Sequence, residues 1–183
     1  MKKISKAVLG IGVTAVAGLA VLPLTTYATE TADVMITANI TSTLTLSVSS
    51  ATVALGTLTP GGAPSTGTTI ATVVTNNLTG YTLNIRALAP ANVNMVAGAA
   101  TIPALTTPGA LNATPTVSAW GFMGGSVTQF TGVPVADVAI RNTTTTTTST
   151  GDNTTLTFGA FAADGQAAGN YSSTVRLTAV ANT

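Results

Sequence analysis

The sequence predicts an all-β chain, an Ig-like, Greek-key β-sandwich of about seven to ten strands preceded by a helical signal peptide. Three observations predict it. Apolar residues recur at every second position in several short stretches, the period of a strand with one buried face. Thr, Val and Ile, which suit a pleated and half-buried surface, supply much of the chain, while Glu, Lys and Gln are scarce. Clusters of Gly, Pro, Asn and Asp separate the stretches as turns would. A closed barrel is the alternative with the same local grammar.

The first 28 residues read as a secretory signal: Lys2, Lys3 and Lys6, then an apolar run from Ala7 to Leu22, then small residues at Thr26 and Ala28. The run is shorter than the roughly 20 residues of a bilayer span. The expected organisation is a signal peptide over 1–28 and one β-sandwich domain over 29–183. It places the protein outside the cell, associated with the cell surface, and touching a membrane only through the transient signal peptide. A retained anchor is the competing interpretation.

The mature chain opens with a long alternation. Val34, Ile36, Ala38, Ile40, Leu44, Leu46 and Val48 share one phase, and only Ser42 interrupts it. Fifteen residues at strand rise would span ~50 Å, beyond an ordinary strand. Either the strand bends near Ser42 and changes sheet, or its first half reaches outside its own domain. After Ser49-Ser50 the apolar phase flips to Ala51, Val53 and Leu55, as a bulge requires. Residues 57–67 form a Pro/Gly-rich loop, and Thr68–Thr75 a strand. A turn at Asn76–Gly80 leads into YTLNIRA, where Tyr81, Leu83, Ile85 and Ala87 oppose Thr82, Asn84 and Arg86.

Residues 88–116 read as loops with one or two short strands. Strand character resumes at 117–122, 126–131, 135–141 and 155–162. After a turn at Ala163–Gly165, the closing strand places Tyr171, Ser173, Val175, Leu177 and Ala179 on one face. The six consecutive threonines at 143–148 are too close to the end of the sequence to separate two sandwiches. They are expected to form a polar edge strand or hairpin arm of the same domain.

Composition also bounds the chemistry. There is no Cys and no His, so disulfides, thiol nucleophiles and imidazole bases are unavailable. The mature chain keeps Arg86, Arg141 and Arg176 against Glu30, Asp33, Asp137, Asp152 and Asp164. That set holds no basic patch for a phosphate backbone, so a nucleic-acid partner is not expected. No cofactor and no enzymatic activity are expected. Gly151-Asp152-Asn153 and Asp164-Gly165-Gln166 offer oxygen atoms to calcium, yet turn chemistry accounts for both.

Four stretches, LTLSVSSATVALGTLTPGG, TNNLTGYTLNIRA, SAWGFMGG and AAGNYSSTVRLTAVAN, together carry a resemblance. The chain resembles small secreted β-sandwich proteins of Gram-positive-type bacterial surfaces and, more distantly, WxL cell-wall-binding domains and strand-exchanging fimbrial subunits. That likeness implies a surface role and a sandwich fold. It departs from the WxL pattern, having Trp120-Gly121-Phe122 and no second Trp.

Two functions from different classes remain open. In one, a non-catalytic structural or adhesive surface module acts by binding or self-assembly, with Val34, Ile36, Ala38 and Ile40 as a strand added to a neighbour's sheet. Its counter-reading keeps these residues as an edge strand of their own domain, bent at Ser42. In the other, a module binds cell-wall or surface glycans by stacking on Trp120, Phe122 and Tyr81. Core packing of these rings is the competing explanation.

Overall fold

The alternating stretches become ten strands in a computed structural model that describes residues 30–183. The expected signal peptide over 1–28 lies outside these residues. The strands are β1 (Leu44–Val48), β2 (Ser65–Thr75), β3 (Tyr81–Ala87), β4 (Met95–Ala97), β5 (Ala100–Ile102), β6 (Ala119–Gly124), β7 (Val127–Thr131), β8 (Val138–Asn142), β9 (Asp152–Phe161) and β10 (Val175–Ala181). One sheet has the order β1-β2-β9-β6-β7 and another the order β10-β3-β8, while β4 and β5 form a small hairpin. All ladders between these strands are antiparallel. The two larger sheets each end in two edge strands, so the architecture is a sandwich and not a closed barrel.

Alternation explains the core. In β3, Tyr81, Leu83, Ile85 and Ala87 are fully buried, while Thr82, Asn84 and Arg86 lie half-buried on the outer face. Ala71 and Val73 of β2, Leu156 and Ala160 of β9, and Trp120 and Phe122 of β6 belong to the same apolar cluster, as does Ile140 of β8. A smaller cluster of Leu111, Phe161 and Ala163, joined by Leu105 and Phe130, is separate. Gly121 and Gly159 face each other across β6 and β9. A Cβ on Gly121 would collide with the Thr131 carbonyl oxygen, and one on Gly159 would press on Leu111 and Phe130. The close approach of these neighbours thus requires residues without side chains.

Three expectations change. The long N-terminal alternation yields a strand only from Leu44 onward, because Leu44 pairs with Thr75, the last residue of β2. Beyond that register the neighbouring chain turns away at Asn76–Gly80, and no ladder partner remains among the described residues. The Asn76 side chain takes over: its amide donates to the Thr41 carbonyl at 2.9 Å, and its oxygen accepts from the Thr43 N–H at 2.7 Å. The chain divides between Asn39 and Ile40, and Glu30–Asn39 carries no assigned strand. Second, β2 begins at Ser65, inside the expected loop, and the closing strand is shorter than its alternation. Of residues 171–174 only Ser172 is bridged, to Val96 of β4. The expected phase flip after Ser49-Ser50 is met in part: Leu55 packs on the core and Val53 is half-buried, whereas Ala51 is exposed.

The third change concerns the threonines. They form neither an edge strand nor an arm. Residues 143–148 connect β8 of one sheet to β9 of the other, and β9 is a central strand between β2 and β6. Thr143 donates its N–H to the Tyr81 carbonyl at 2.9 Å, and Thr147 does the same to Thr75 at 3.0 Å. The Thr147 hydroxyl also accepts from the Thr75 N–H at 2.9 Å. The loop thus ties the first residue of β3 to the last of β2, across the two sheets. Two of the six, Thr143 and Thr147, also use their hydroxyls to satisfy backbone groups of Tyr81 and Thr75 that the ladders leave over.

Asn182 completes the same pole. Its amide donates to the carbonyls of Thr79 at 3.0 Å and Thr143 at 2.7 Å, and its side-chain oxygen accepts from the Thr82 hydroxyl at 2.8 Å. Its backbone carbonyl accepts from the Asn77 amide at 2.7 Å. Replacing the side chain strands several of these partners, and an unmade hydrogen bond at a part-buried site costs more than a made one contributes. Asn182→Ala is expected to lower stability by about 1–3 kcal/mol, and Thr146→Ala on the exposed crossover by less than ~0.5 kcal/mol. Urea unfolding followed by far-UV circular dichroism measures both.

Candidate functional site

The three candidate stacking rings lie inside the sandwich. Trp120, Phe122 and Tyr81 are 3%, 1% and 0% exposed. Trp120 and Phe122 share the inner face of β6, as their spacing of two dictates. The Trp120 indole donates to the Val93 carbonyl at 2.9 Å, so its one polar atom is satisfied. Phe122 sits opposite Phe158 of β9, with ring centroids 6.4 Å apart and planes tilted by 40°. None of the three rings presents a face to solvent, and core packing describes their place. The sequence carries no signal that separates an outward from an inward aromatic on a lone strand; the partner sheet decides.

Tyr81 anchors a short polar chain beneath the threonine crossover. Its hydroxyl donates to an Asp152 carboxylate oxygen at 3.5 Å, and the same oxygen is 3.2 Å from the Arg141 guanidinium. Arg141 donates onward to the Asn153 carbonyl at 3.0 Å. Asp152 thereby takes part in an ion pair at the start of β9. Asp164 and Gly165 occupy a turn closed by the Gln166 N–H on the Ala163 carbonyl at 3.1 Å, with Gly165 at positive φ. Among the described residues no group of three or more acidic side chains comes together.

Burial raises the Tyr81 phenol above its ordinary value; Arg141 opposes this, and the Asp152 charge and hydrogen bond reinforce it. The folded state therefore holds this proton to higher pH than the unfolded chain does. Its contribution is complete below about pH 10 and declines as pH rises through the folded value. Tyr81→Phe is expected to flatten that alkaline decline, read as the urea midpoint at about pH 9 against about pH 11.

The assembly candidates are placed oppositely. Val34, Ile36 and Ile40 are 82%, 90% and 84% exposed, Ala38 is exposed as well, and none pairs with a strand among the described residues. An edge strand of their own domain, bent at Ser42, is not what these residues form. Four apolar side chains at period two are left in water.

The sandwich itself has an open seam. β1 and β10 are edge strands of the two larger sheets, each hydrogen-bonded on one side only. Their inward residues, Leu44 and Leu46 on β1 and Val175, Leu177 and Ala179 on β10, are half-buried, whereas the inner-face residues of β3 between its two neighbours are fully buried. Between these edges lies a cavity of about 790 Å³, bordered by Leu46, Val53, Leu55, Met95, Val175 and Leu177, with Trp120 and Phe158 in its wall. A second cavity of about 580 Å³ shares Val53, Leu55, Met95 and Tyr171 with it and runs on towards Leu58 and Pro60. No charged side chain lines either one. Sequence reasoning missed this seam, because β1 and β10 alternate just as inner strands do. The only local hint is the Ser/Thr-rich flank of each, Ser49-Ser50 and Ser172–Thr174.

Trp120 also provides a test of the core assignment. Truncating so large a buried side chain costs about 3–5 kcal/mol. Trp120→Ala is therefore expected to shift the thermal midpoint strongly downward, and the native protein should resist acrylamide quenching of its one tryptophan. Comparison of the chain with protein-family models, with curated proteins and with solved structures finds no match.

Proposed function

We propose that this protein is a secreted, non-catalytic structural or adhesive module of a cell surface, acting by binding or assembly through its N-terminal segment. The observation that carries this reading is the uncovered alternation of Val34, Ile36, Ala38 and Ile40. Four apolar side chains at strand period, held in water, represent surface that burial against another chain would stabilise at roughly 25 cal/mol per Å². Edge strands supply the backbone donors and acceptors that such a segment needs.

Other features of the sequence support the same reading. The Lys-led apolar leader fits export. The absence of His and Cys leaves few residues for general-base or nucleophilic chemistry. The alternative, a glycan- or wall-binding module, rested on Trp120, Phe122 and Tyr81, all of which lie in the core; no specific observation favours it.

The mature protein is expected to form species larger than a monomer in light scattering, and the same protein lacking residues 29–40 to remain monomeric with an unchanged circular dichroism spectrum. Identical monomers in both cases would overturn assembly through this segment.

A further inference from the structure

Three arginines and no lysine occur among the described residues, and two of the three stand opposite each other. Arg176 of β10 pairs with Arg86 of β3, on the outer face of their sheet. Directly opposed side chains on one face have Cβ atoms ~4.5–5.5 Å apart, where like charges destabilise the pair. Neither strand contains a carboxylate to offset this. Asp137, just before β8, does so for Arg86 alone, with its Oδ1 at 3.4 Å from Nε. It approaches from the side away from β10, because β3 lies between β8 and β10.

Arg86 is held on that side. Its Nη1 donates to the Ala87 carbonyl at 3.2 Å and to the Leu88 carbonyl at 3.3 Å, and its Nη2 has no partner among the described residues. The Arg176 guanidinium is exposed and has none either. The next rung continues the pattern. Asn84 pairs with Thr178. Both are half-buried, and neither side chain bonds another described residue. The other two asparagines within strands, Asn142 and Asn153, each accept a hydrogen bond. On its far flank Asn84 meets only Ala139 of β8, too small to cover it.

These four side chains occupy one cell of the ladder, whose two rungs on this face are about 6.6–6.8 Å apart. We propose that the cell is a binding site for a single oxyanion, a carboxylate or phosphate group, held between Arg176, Arg86, Asn84 and Thr178. The Arg176 fork offers two parallel N–H donors to two oxygens of such a group. Arg86 Nη2, the Asn84 amide and the Thr178 hydroxyl supply donors around it. The ligand's charge relieves the repulsion within the arginine pair, so a feature that costs stability becomes part of recognition. Two cations suit one oxyanion and not a polyanionic backbone. The site uses neither the N-terminal segment nor a backbone edge, and it is independent of assembly.

Isothermal titration calorimetry of the full mature chain tests it, with inorganic phosphate and acetate as separate ligands and chloride at matched ionic strength as the reference. Saturable binding of one equivalent per chain is expected. Arg176→Gln is expected to weaken it about tenfold or more, the loss of a charge-assisted hydrogen bond. Arg176→Lys should restore part of the affinity, and Val180→Gln, on the same face of β10, should leave it unchanged. Binding of both anions would give the site to oxyanions in general, and binding of one alone would identify the group it takes. Without added oxyanion, Arg176→Gln is expected to unfold at an equal or higher temperature than the native chain, because it removes the opposed like charge. No binding of either anion beyond chloride, or binding that Arg176→Gln leaves intact, would overturn the site. A lowered midpoint in Arg176→Gln would make the arginine pair a structural element and overturn it as well.

Discussion

The sandwich depends on the burial of one face of β3. Tyr81, Leu83, Ile85 and Ala87 are removed from water against residues of β2, β6 and β9. Burying a large apolar side chain of this kind is worth about 1.5–3 kcal/mol. There is no cysteine to crosslink, and the two ion pairs among the described residues, Arg86–Asp137 and Arg141–Asp152, are partly exposed, where such pairs contribute little. β8 and β10 join the structure by pairing with β3, and the threonine crossover attaches to its first residue. Gly80, just before it, sits at positive φ against the Thr143 carbonyl, a place with no room for a Cβ. The pole is thus fastened to the strand that carries the core.

The alternation of YTLNIRA gave both the strand and its buried face, since period two is a property of the local chain. The flip after Ser49-Ser50 was readable in part for the same reason. What sequence could not supply was the partner of each strand. The residues of 34–48 share one apolar phase, yet only Leu44–Val48 finds β2 alongside. The threonine run was read as an edge because hydroxyls suit one, whereas its position between two sheets follows from the pairing of β8 with β3 and of β9 with β2. Trp120 and Phe122 were correctly placed on a common face, but a single strand does not reveal what covers that face. The seam was invisible because an edge and an interior strand can carry the same pattern when almost no charge marks the difference.

That scarcity of charge gives the edges an unusual character. Many sandwiches protect an edge with Lys, Pro or an inward charge. β1 has only Thr45 and Ser47 between its apolar residues, and β10 carries Arg176 alone. Hydroxyl groups keep such a surface wetted without repelling a like surface. They are also indifferent to ionic strength over the range where screening weakens charged edges. The recognition properties of these edges are therefore set by shape and by backbone hydrogen bonds, with little contribution from long-range steering.

The order of pairing along the chain has a kinetic consequence. Thr72 of β2 meets Asn153 of β9 across 81 residues, and Thr82 of β3 meets Asn182 across 100. Contacts of such separation must overcome loop-closure entropy before they return any stability, which places this topology among slow folders. During that interval β2, eleven residues with no charge, is uncovered. The crossover loop that ties Thr75 to Tyr81 can lock only after β8 has paired with β3 and β9 with β2, so its closure follows both of these long-range pairings.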